Sequence, residues 1–254
     1  MNKLLKPGRI IFAIGIIALS VLCIISKDFI VGRPPAWPAG WTVNPALAYI
    51  SAALMIIAAI IILLTKKGGL AALLIAVLIF LFSVLRHLPH FMDDWVNTYK
   101  SMALFGGAAI IAASFFKEDN KTITGSRFNG SLEKSLFIGG TILIAVFLII
   151  CGYAHFKYAA FVKDLIPVYI PFRVFWTYFC GICLIAGGVG LLLPFIRRYA
   201  AFLSGIMIAG WFILLHIPRF IANTSDASDR MGVCESFTFV GILFVLAAMF
   251  SGKR

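Results

Sequence analysis

Charge is scarce in this chain. Only 13% of its 254 residues are Asp, Glu, Lys or Arg, against about 25% in an average soluble domain. Hydrophobic residues make up 62%, compared with about 45–50% in soluble proteins. So few polar residues could not cover that much apolar surface in water. The composition therefore excludes a soluble globular protein and indicates an integral membrane protein.

Local signatures of well-known catalytic sites are also missing. The sequence has no Gly-rich phosphate loop, no CxxCH haem signature, no His-Glu-x-x-His and no recognisable Ser-His-Asp set. Proline is rare inside the apolar runs. This argues against a transporter of the kind that builds its central site from broken helices.

Eight apolar runs are long enough to cross a bilayer, which takes about 20 residues per helix. We therefore predict an all-α integral membrane protein with eight transmembrane helices. The first run follows Lys3, Lys6 and Arg9 like a signal peptide, but no small-x-small cleavage site follows Ile25, so we expect an uncleaved helix. The predicted spans are 10–26, 45–65, 69–86, 97–116, 135–155, 174–195, 199–217 and 234–250.

Basic residues concentrate in alternate connections between these runs, although the net charge of +12 could also suggest nucleic-acid binding. With the N-terminus inside, the cytoplasmic segments hold three acids, Glu118, Asp119 and Glu133. The positive-inside rule then predicts that both termini are cytoplasmic. We expect the surplus charge to contact anionic lipid and expect no nucleic-acid partner. The 13 cytoplasmic basic residues are Lys3, Lys6, Arg9, Lys66, Lys67, Lys117, Lys121, Arg127, Lys134, Arg197, Arg198, Lys253 and Arg254.

The sequence also repeats itself. Residues 85–91 (Leu-Arg-His-Leu-Pro-His-Phe) return 129 positions later as residues 214–220 (Leu-Leu-His-Ile-Pro-Arg-Phe), and Gly106 matches Gly241 at an offset of 135. Such self-similarity indicates a duplicated architecture. We predict two parallel four-helix repeats, 1–116 and 135–254, related by an axis along the membrane normal. Residues 117–134, the only extended polar stretch, are predicted to be a cytoplasmic linker in loop conformation.

The second half resembles the DoxX-like family of bacterial membrane proteins. The resemblance rests on Gly152-Tyr153-Ala154-His155-Phe156, the Ile166-Pro167 and Ile170-Pro171 pairs, Phe175-Trp176-Thr177-Tyr178, and residues 181–187 (Gly-Ile-Cys-Leu-Ile-Ala-Gly). It covers about residues 137–195. In the first half Cys23 stands where His155 does. The resemblance implies a four-helix unit in the bacterial inner membrane. Founding relatives are described as the membrane subunit of a thiosulfate:quinone oxidoreductase, which implies a quinone as the cofactor of any redox activity.

Histidines and membrane-located charges are the candidates for a ligand or quinone pocket at the outer face. Converging imidazoles could bind metal, line a pocket, or cap helix ends through freed carbonyls; we expect no metal and favour capping. Lys100 and Glu235 are equivalent in the repeat and have opposite charges. They either meet in a central cavity or each snorkel to the interface, and snorkelling is favoured. The candidate pocket residues are His87, His155, His216, Arg86, Arg219, Lys100 and Glu235.

Cys180 and Cys183 have the spacing of a redox pair. Because Cys180 lies about two turns into its helix, the geometry favours small packing residues over a disulfide.

Three functions remain open. The first, which we favour, is an accessory or structural subunit of a membrane complex. It would bind a protein or lipid through stiff outer loops that carry Trp37, Trp41 and Trp176. The second is a quinone- or thiol-linked membrane oxidoreductase component. The third is a transporter or binding protein for a small lipophilic molecule.

Overall fold

The computed structural model describes residues 2–41, 44–122 and 127–251, and within them every regular element is helical. A short 3₁₀ turn, Asn2–Leu4, leads into the first helix, and another, Leu88–His90, follows the third. The ten α-helices are α1 (Leu5–Ser26), α2 (Pro45–Leu64), α3 (Gly69–Arg86), α4 (Trp95–Thr122), α5 (Arg127–Lys157), α6 (Ala159–Leu165), α7 (Arg173–Leu192), α8 (Arg197–Trp211), α9 (Ile217–Ala222) and α10 (Ala227–Ser251).

Eight helical stretches are long and apolar enough to cross a membrane, which confirms the number predicted. Seven are single helices. The remaining stretch joins α8 and α9 through a π-helical turn, Phe212–His216. Local signals set several boundaries. Pro45 occupies the first turn of α2, where its missing N–H costs nothing, and the Asn44 side chain accepts a hydrogen bond from Ala46 N at 3.0 Å.

Two predictions about helix ends are wrong. The predicted seventh span, 199–217, does not end at the His-x-Pro corner of residues 216–218, because the chain continues through the π turn to Ala222. The stretch 117–134 is not an extended loop: α4 runs to Thr122 and α5 starts at Arg127. Residues 123–126 of that stretch, and Lys253 and Arg254 of the cytoplasmic set, lie outside the described residues.

The long helices form a closed ring in which each packs on its neighbours. The order is α1, α2, α3, α4, α5, α7, α8, α10 and back to α1, while α4 and α10 also contact each other across the middle. These two central helices are the most buried. Phe12, Ile16, Ile110, Ile144 and Leu243 belong to the continuous apolar core beside them. Polar side chains on facing positions of α4 and α10 are therefore enclosed by protein.

Candidate functional site

Lys100 on α4 and Glu235 on α10 meet inside the bundle. The Lys100 Nζ atom lies 3.3 Å from Glu235 Oε2, with the two side chains 13% and 5% exposed. The favoured prediction that both snorkel away from the interior is therefore wrong. Lys100 also donates a hydrogen bond to Asn97 Oδ1 at 2.8 Å. The pair is a charge cluster at the contact between the two central helices.

Arg33 adds a second cation that the sequence analysis did not identify. Its Nε lies 3.6 Å from Glu235 Oε2, and its Nη2 donates to Ser228 O at 2.8 Å. Gly32 N donates to Glu235 Oε1 at 3.1 Å. Gly32 has φ +84, and a Cβ there would lie 2.6 Å from the Ser101 side chain. Only glycine suits this left-handed turn that presses the backbone against α4.

Arg86 fixes the connection that carries Gly32 and Arg33. Its Nη1 donates to Asp28 Oδ2 at 2.9 Å and to Phe29 O at 2.7 Å, and its Nε and Nη2 donate to Pro35 O. The indole of Trp37 lies under the guanidinium and donates to Asp28 Oδ1 at 3.0 Å. Arg86 and Trp37, which we predicted to face a ligand and a partner, therefore bind to the protein's own loop.

Arg219 has a matching role in the second half. Its Nε donates to Asp229 Oδ1 at 2.8 Å and its Nη1 donates to Leu165 O at 3.1 Å. It thus joins α9, the start of α10 and the end of α6. Like Arg86, it holds a connection in place, and it lies outside the cavity lining.

A cavity of about 690 Å³ opens beside the charge cluster, between α4, α5, α7, α8 and α10, with α6 along its rim. Its size is within the roughly 300–1,000 Å³ typical of small-molecule sites. The deep walls are apolar, with Phe147, Leu148, Leu184, Met207 and Phe239 among them. The polar end is formed by Arg33, Lys100, Glu235 and His216, and His155, Asp93 and Asp94 also line the cavity.

His155 presents a defined hydrogen-bonding face. Its Nδ1 lies 2.8 Å from Cys151 O. A carbonyl oxygen only accepts, so Nδ1 carries the proton and Nε2 of the neutral ring is left as an acceptor. The bond to the i−4 carbonyl agrees with the predicted capping role. Because the residue also lines the cavity, capping and ligand contact are compatible here.

His87 departs from the capping prediction. It is 1% exposed, and neither ring nitrogen has a hydrogen-bond partner among the described residues. Burial, and then the charges of Arg86, Lys100 and His90, lower its pKa from 6.5 to about 4. It lies behind the Gly32 turn, where a Cβ on Gly32 would be 3.4 Å from its Nε2. His87 is therefore a neutral core residue outside the cavity lining. His216, its repeat equivalent, lines the cavity from the π turn.

Cys180 and Cys183 lie on α7 as free thiols. Cys180 lines the cavity and accepts a hydrogen bond from Trp211 Nε1 at 2.9 Å. Trp176 also lines the cavity and contacts the Trp211 ring edge-on. Trp41 is 56% exposed, so it alone of the three predicted partner-surface tryptophans is mainly exposed. Within the described ranges, no three His, Cys, Asp or Glu side chains come close enough to hold a metal ion.

Residues 144–230 match the family model of a domain of unknown function, DUF8561. This chain is similar to that domain over α5 from Ile144 through α9 to the start of α10. The match includes His155, Cys180 and His216, and it excludes Arg33, Lys100 and Glu235. No curated protein and no solved structure matches the chain. The resemblance to the DoxX-like family stays a prediction.

Proposed function

We propose that the protein is a multi-pass membrane protein that binds a small lipophilic molecule in the cavity between α4, α5, α7, α8 and α10, as a binding protein or transporter. The observation that carries this proposal is the cluster of Arg33, Lys100 and Glu235 at one end of an otherwise apolar cavity. A few convergent polar groups in an apolar pocket are typical of ligand sites.

The energetic cost of these charges supports a ligand-binding role over a purely structural one. Charged side chains within membrane spans are costly, up to about 2.5–3.5 kcal/mol at the bilayer centre, and they tend to be paired and functional. Ion pairs in an apolar interior are often no more stabilising than well-packed apolar residues. Lys100 and Glu235 could therefore be replaced by apolar residues if packing were their only purpose. Because they line a cavity of about 690 Å³, these charges could instead bind a ligand.

Membrane embedding is supported by the outward faces of the helices. Ile57, Phe80, Leu203 and Ile213 are among the large apolar side chains exposed on α2, α3, α8 and the π turn. Lipid chains would cover such faces. The basic residues of the connections further suggest that both termini are cytoplasmic, and the resemblance to the DoxX-like family implies a bacterial inner membrane. Arg33, Lys100 and the cavity rim would then lie towards the outer face.

Two parallel repeats are part of the same proposal, and two glycine contacts support them. A Cβ on Gly8 of α1 would lie 2.9 Å from Gly241 O of α10, and a Cβ on Gly140 of α5 would collide with Gly106 O of α4. Gly106 and Gly241 are repeat equivalents at an offset of 135, as are Lys100 and Glu235. The two interfaces between the halves, α1 with α10 and α5 with α4, therefore have close glycine contacts at equivalent positions. Helices α4 and α10 contact each other between these interfaces.

A second candidate, the quinone- or thiol-linked oxidoreductase, is favoured by one observation. His155 and Cys180 both line the cavity, so a quinone ring there would contact an imidazole and a thiol. The accessory-subunit function, which the sequence favoured, stays a prediction that rests on exposed connections such as the one with Trp41.

The test is to purify the protein from its native membrane in mild detergent and identify by mass spectrometry what remains bound. We expect a lipophile at near-equimolar amount, and we expect Ala154→Phe to lose it because Ala154 lines the cavity. Ala53→Phe, at an exposed site on α2, is the matched control. A retained quinone would favour the oxidoreductase. A stoichiometric protein partner without any lipophile would contradict the proposal and favour the subunit.

A further inference from the structure

At the buried polar end of the cavity, two cations share a single carboxylate. Arg33 and Lys100 both approach Oε2 of Glu235, at 3.6 and 3.3 Å. The other oxygen, Oε1, accepts a hydrogen bond from Gly32 N. A single carboxylate thus serves two cations and a backbone amide. Charges taken out of water need partners of opposite sign, so one further anion would complete the cluster.

Within the described ranges, the other charged groups near the cavity form no ion pair with Arg33 or Lys100. Asp93 is exposed to solvent. Asp94, just before α4, also lines the cavity and accepts a hydrogen bond from Asn97 Nδ2 at 2.8 Å, whereas the ion pairs of Arg33 and Lys100 among the described residues are with Glu235. Arg219 is paired with Asp229 at 2.8 Å. His155 and His216 carry no negative charge in either protonation state.

Hydrogen-bond donors at this end are incompletely used. Arg33 Nε is buried and makes no hydrogen bond among the described residues. The Lys100 ammonium group has three N–H donors, and its contacts below 3.5 Å are with Asn97 and Glu235. An oxyanion between these two cations would accept from both. Such charge-assisted bonds are roughly twice as strong as neutral ones.

We infer that the ligand of this cavity is a lipophile with a carboxylate head. Its head would bind between Arg33 and Lys100, and its apolar chain would extend along Phe147, Leu184 and Phe239. A carboxylate brings one negative charge to the two cations that share Glu235, whereas a phosphate monoester carries about −1.5 to −2 at neutral pH. The apolar part of the cavity extends about 12 Å along α5, from His155 to Phe147, at 1.5 Å per residue. The inference rests on the proposed function and specifies its ligand class.

The test compares three probes that share one chain and differ in the head: dodecanoate, 1-dodecanol and dodecyltrimethylammonium. Binding to the full-length protein in lipid nanodiscs at neutral pH is measured by titration. We expect dodecanoate to bind at least about tenfold more tightly than the alcohol, the equivalent of 1.4 kcal/mol, and the cation to bind most weakly. Arg33→Met should remove most of this preference. Lys163→Met, which changes a partly exposed cation on α6 paired with Asp164, should leave it unchanged.

The variant Glu235→Gln provides an independent test of the carboxylate site. It removes the anion that competes for Arg33 and Lys100, so dodecanoate should bind more tightly to this variant while 1-dodecanol is unaffected. Equal binding of carboxylate and alcohol, abolished by Ala154→Phe, would overturn the carboxylate inference and leave the proposed function in place. Failure of all three probes would also overturn it, and the retained-lipophile measurement would then decide the proposed function by itself.

Discussion

At the residue scale, the three charges of the cluster are not equivalent. Glu235 contacts Lys100, Arg33 and Gly32 N, whereas each cation contacts only one carboxylate. Loss of Glu235 would leave Lys100 buried without a carboxylate partner and with Arg33 still nearby. Loss of Lys100 would leave Glu235 with Arg33, which is one third exposed and can turn towards water. The cost of substitution should therefore depend on which charge is removed.

We expect Glu235→Gln to lower the free energy of unfolding by about 3–5 kcal/mol, the range for breaking a buried ion pair by removing one partner. Lys100→Met should cost clearly less, and the double variant should cost less than the sum. Denaturant titration of the purified protein in detergent measures all three. The exposed Lys163–Asp164 pair is the control, with an expected coupling of about 0–1 kcal/mol. Additive effects at Lys100 and Glu235 would contradict the contact.

His87 gives a pH dependence whose sign follows from its lowered pKa. In the unfolded chain it binds a proton near pH 6.5, but in the fold only near pH 4. Between these values the unfolded state binds more protons, so stability is full above about pH 6.5 and declines as the pH falls towards 4. His87→Leu should reduce that decline by an amount on the order of 2–3 kcal/mol. Thermal unfolding across this pH range checks it, and an unchanged slope would contradict it.

The sequence predicts that Lys100 and Glu235 could pair, but it does not predict that Arg33 joins them. The repeat offset of 135 places Lys100 and Glu235 at equivalent positions, but only the rotation of α4 and α10 about their axes decides that they meet. Arg33 lies in a connection without periodicity. Its position depends on the Arg86 contacts to Asp28, Phe29 and Pro35 and on the positive φ of Gly32. Such long-range contacts leave no local pattern in a sequence.

At the element scale, the two His-x-Pro corners show how equivalent sequences can fold differently. Proline lacks an N–H and crowds the carbonyl four residues before it, which usually ends a helix. After Arg86 the chain does leave the helix, through the 3₁₀ turn Leu88–His90. Before Pro218 the π turn Phe212–His216 widens the helix and absorbs that conflict. The number and type of the helices could be predicted from the apolar runs. Where the helix ends at each of these corners could not, because the chain can form either a 3₁₀ turn or a π turn there.

Close glycine contacts between helices give a prediction about packing. A Cβ on Gly140 would collide with Gly106 O, and one on Gly241 would lie 2.7 Å from Gly8 O. Gly140→Ala and Gly241→Ala should each destabilise the protein by about 1–3 kcal/mol, the usual cost of overpacking. Gly139→Ala is the matched control, since a Cβ there meets nothing within 4 Å. It should be neutral or slightly stabilising, because alanine favours helix more than glycine.

The melting temperature of each variant in detergent is the measurement. Equal shifts for Gly139→Ala and Gly140→Ala would show that helix propensity, and not contact between α4 and α5, decides the outcome. Similar losses at Gly140 and Gly241 would be expected if the two interfaces between the halves are equivalent.

At the scale of the whole molecule, parallel repeats require equivalent connections to lie on the same side of the membrane. Ala36 and Val168 are equivalent at the repeat offset of 132, and both are exposed. Lys66 and Phe195 lie in the short connections at the opposite end and are also exposed. In a variant without its five native cysteines, we expect Ala36→Cys and Val168→Cys to react with a membrane-impermeant maleimide in intact cells. Lys66→Cys and Phe195→Cys should react only after permeabilisation, because basic connections stay in the cytoplasm.

The four sites together separate the two parts of this prediction. Reversal of all four would refute the assignment of the termini to the cytoplasm while keeping the repeats parallel. Labelling of Ala36→Cys and Val168→Cys from opposite sides would refute the parallel repeats themselves. The latter result would also bear on the cavity, because Arg33 from the first connection and His155 from α5 line the same cavity. A ligand can enter that cavity from outside the cell only if both connections lie there.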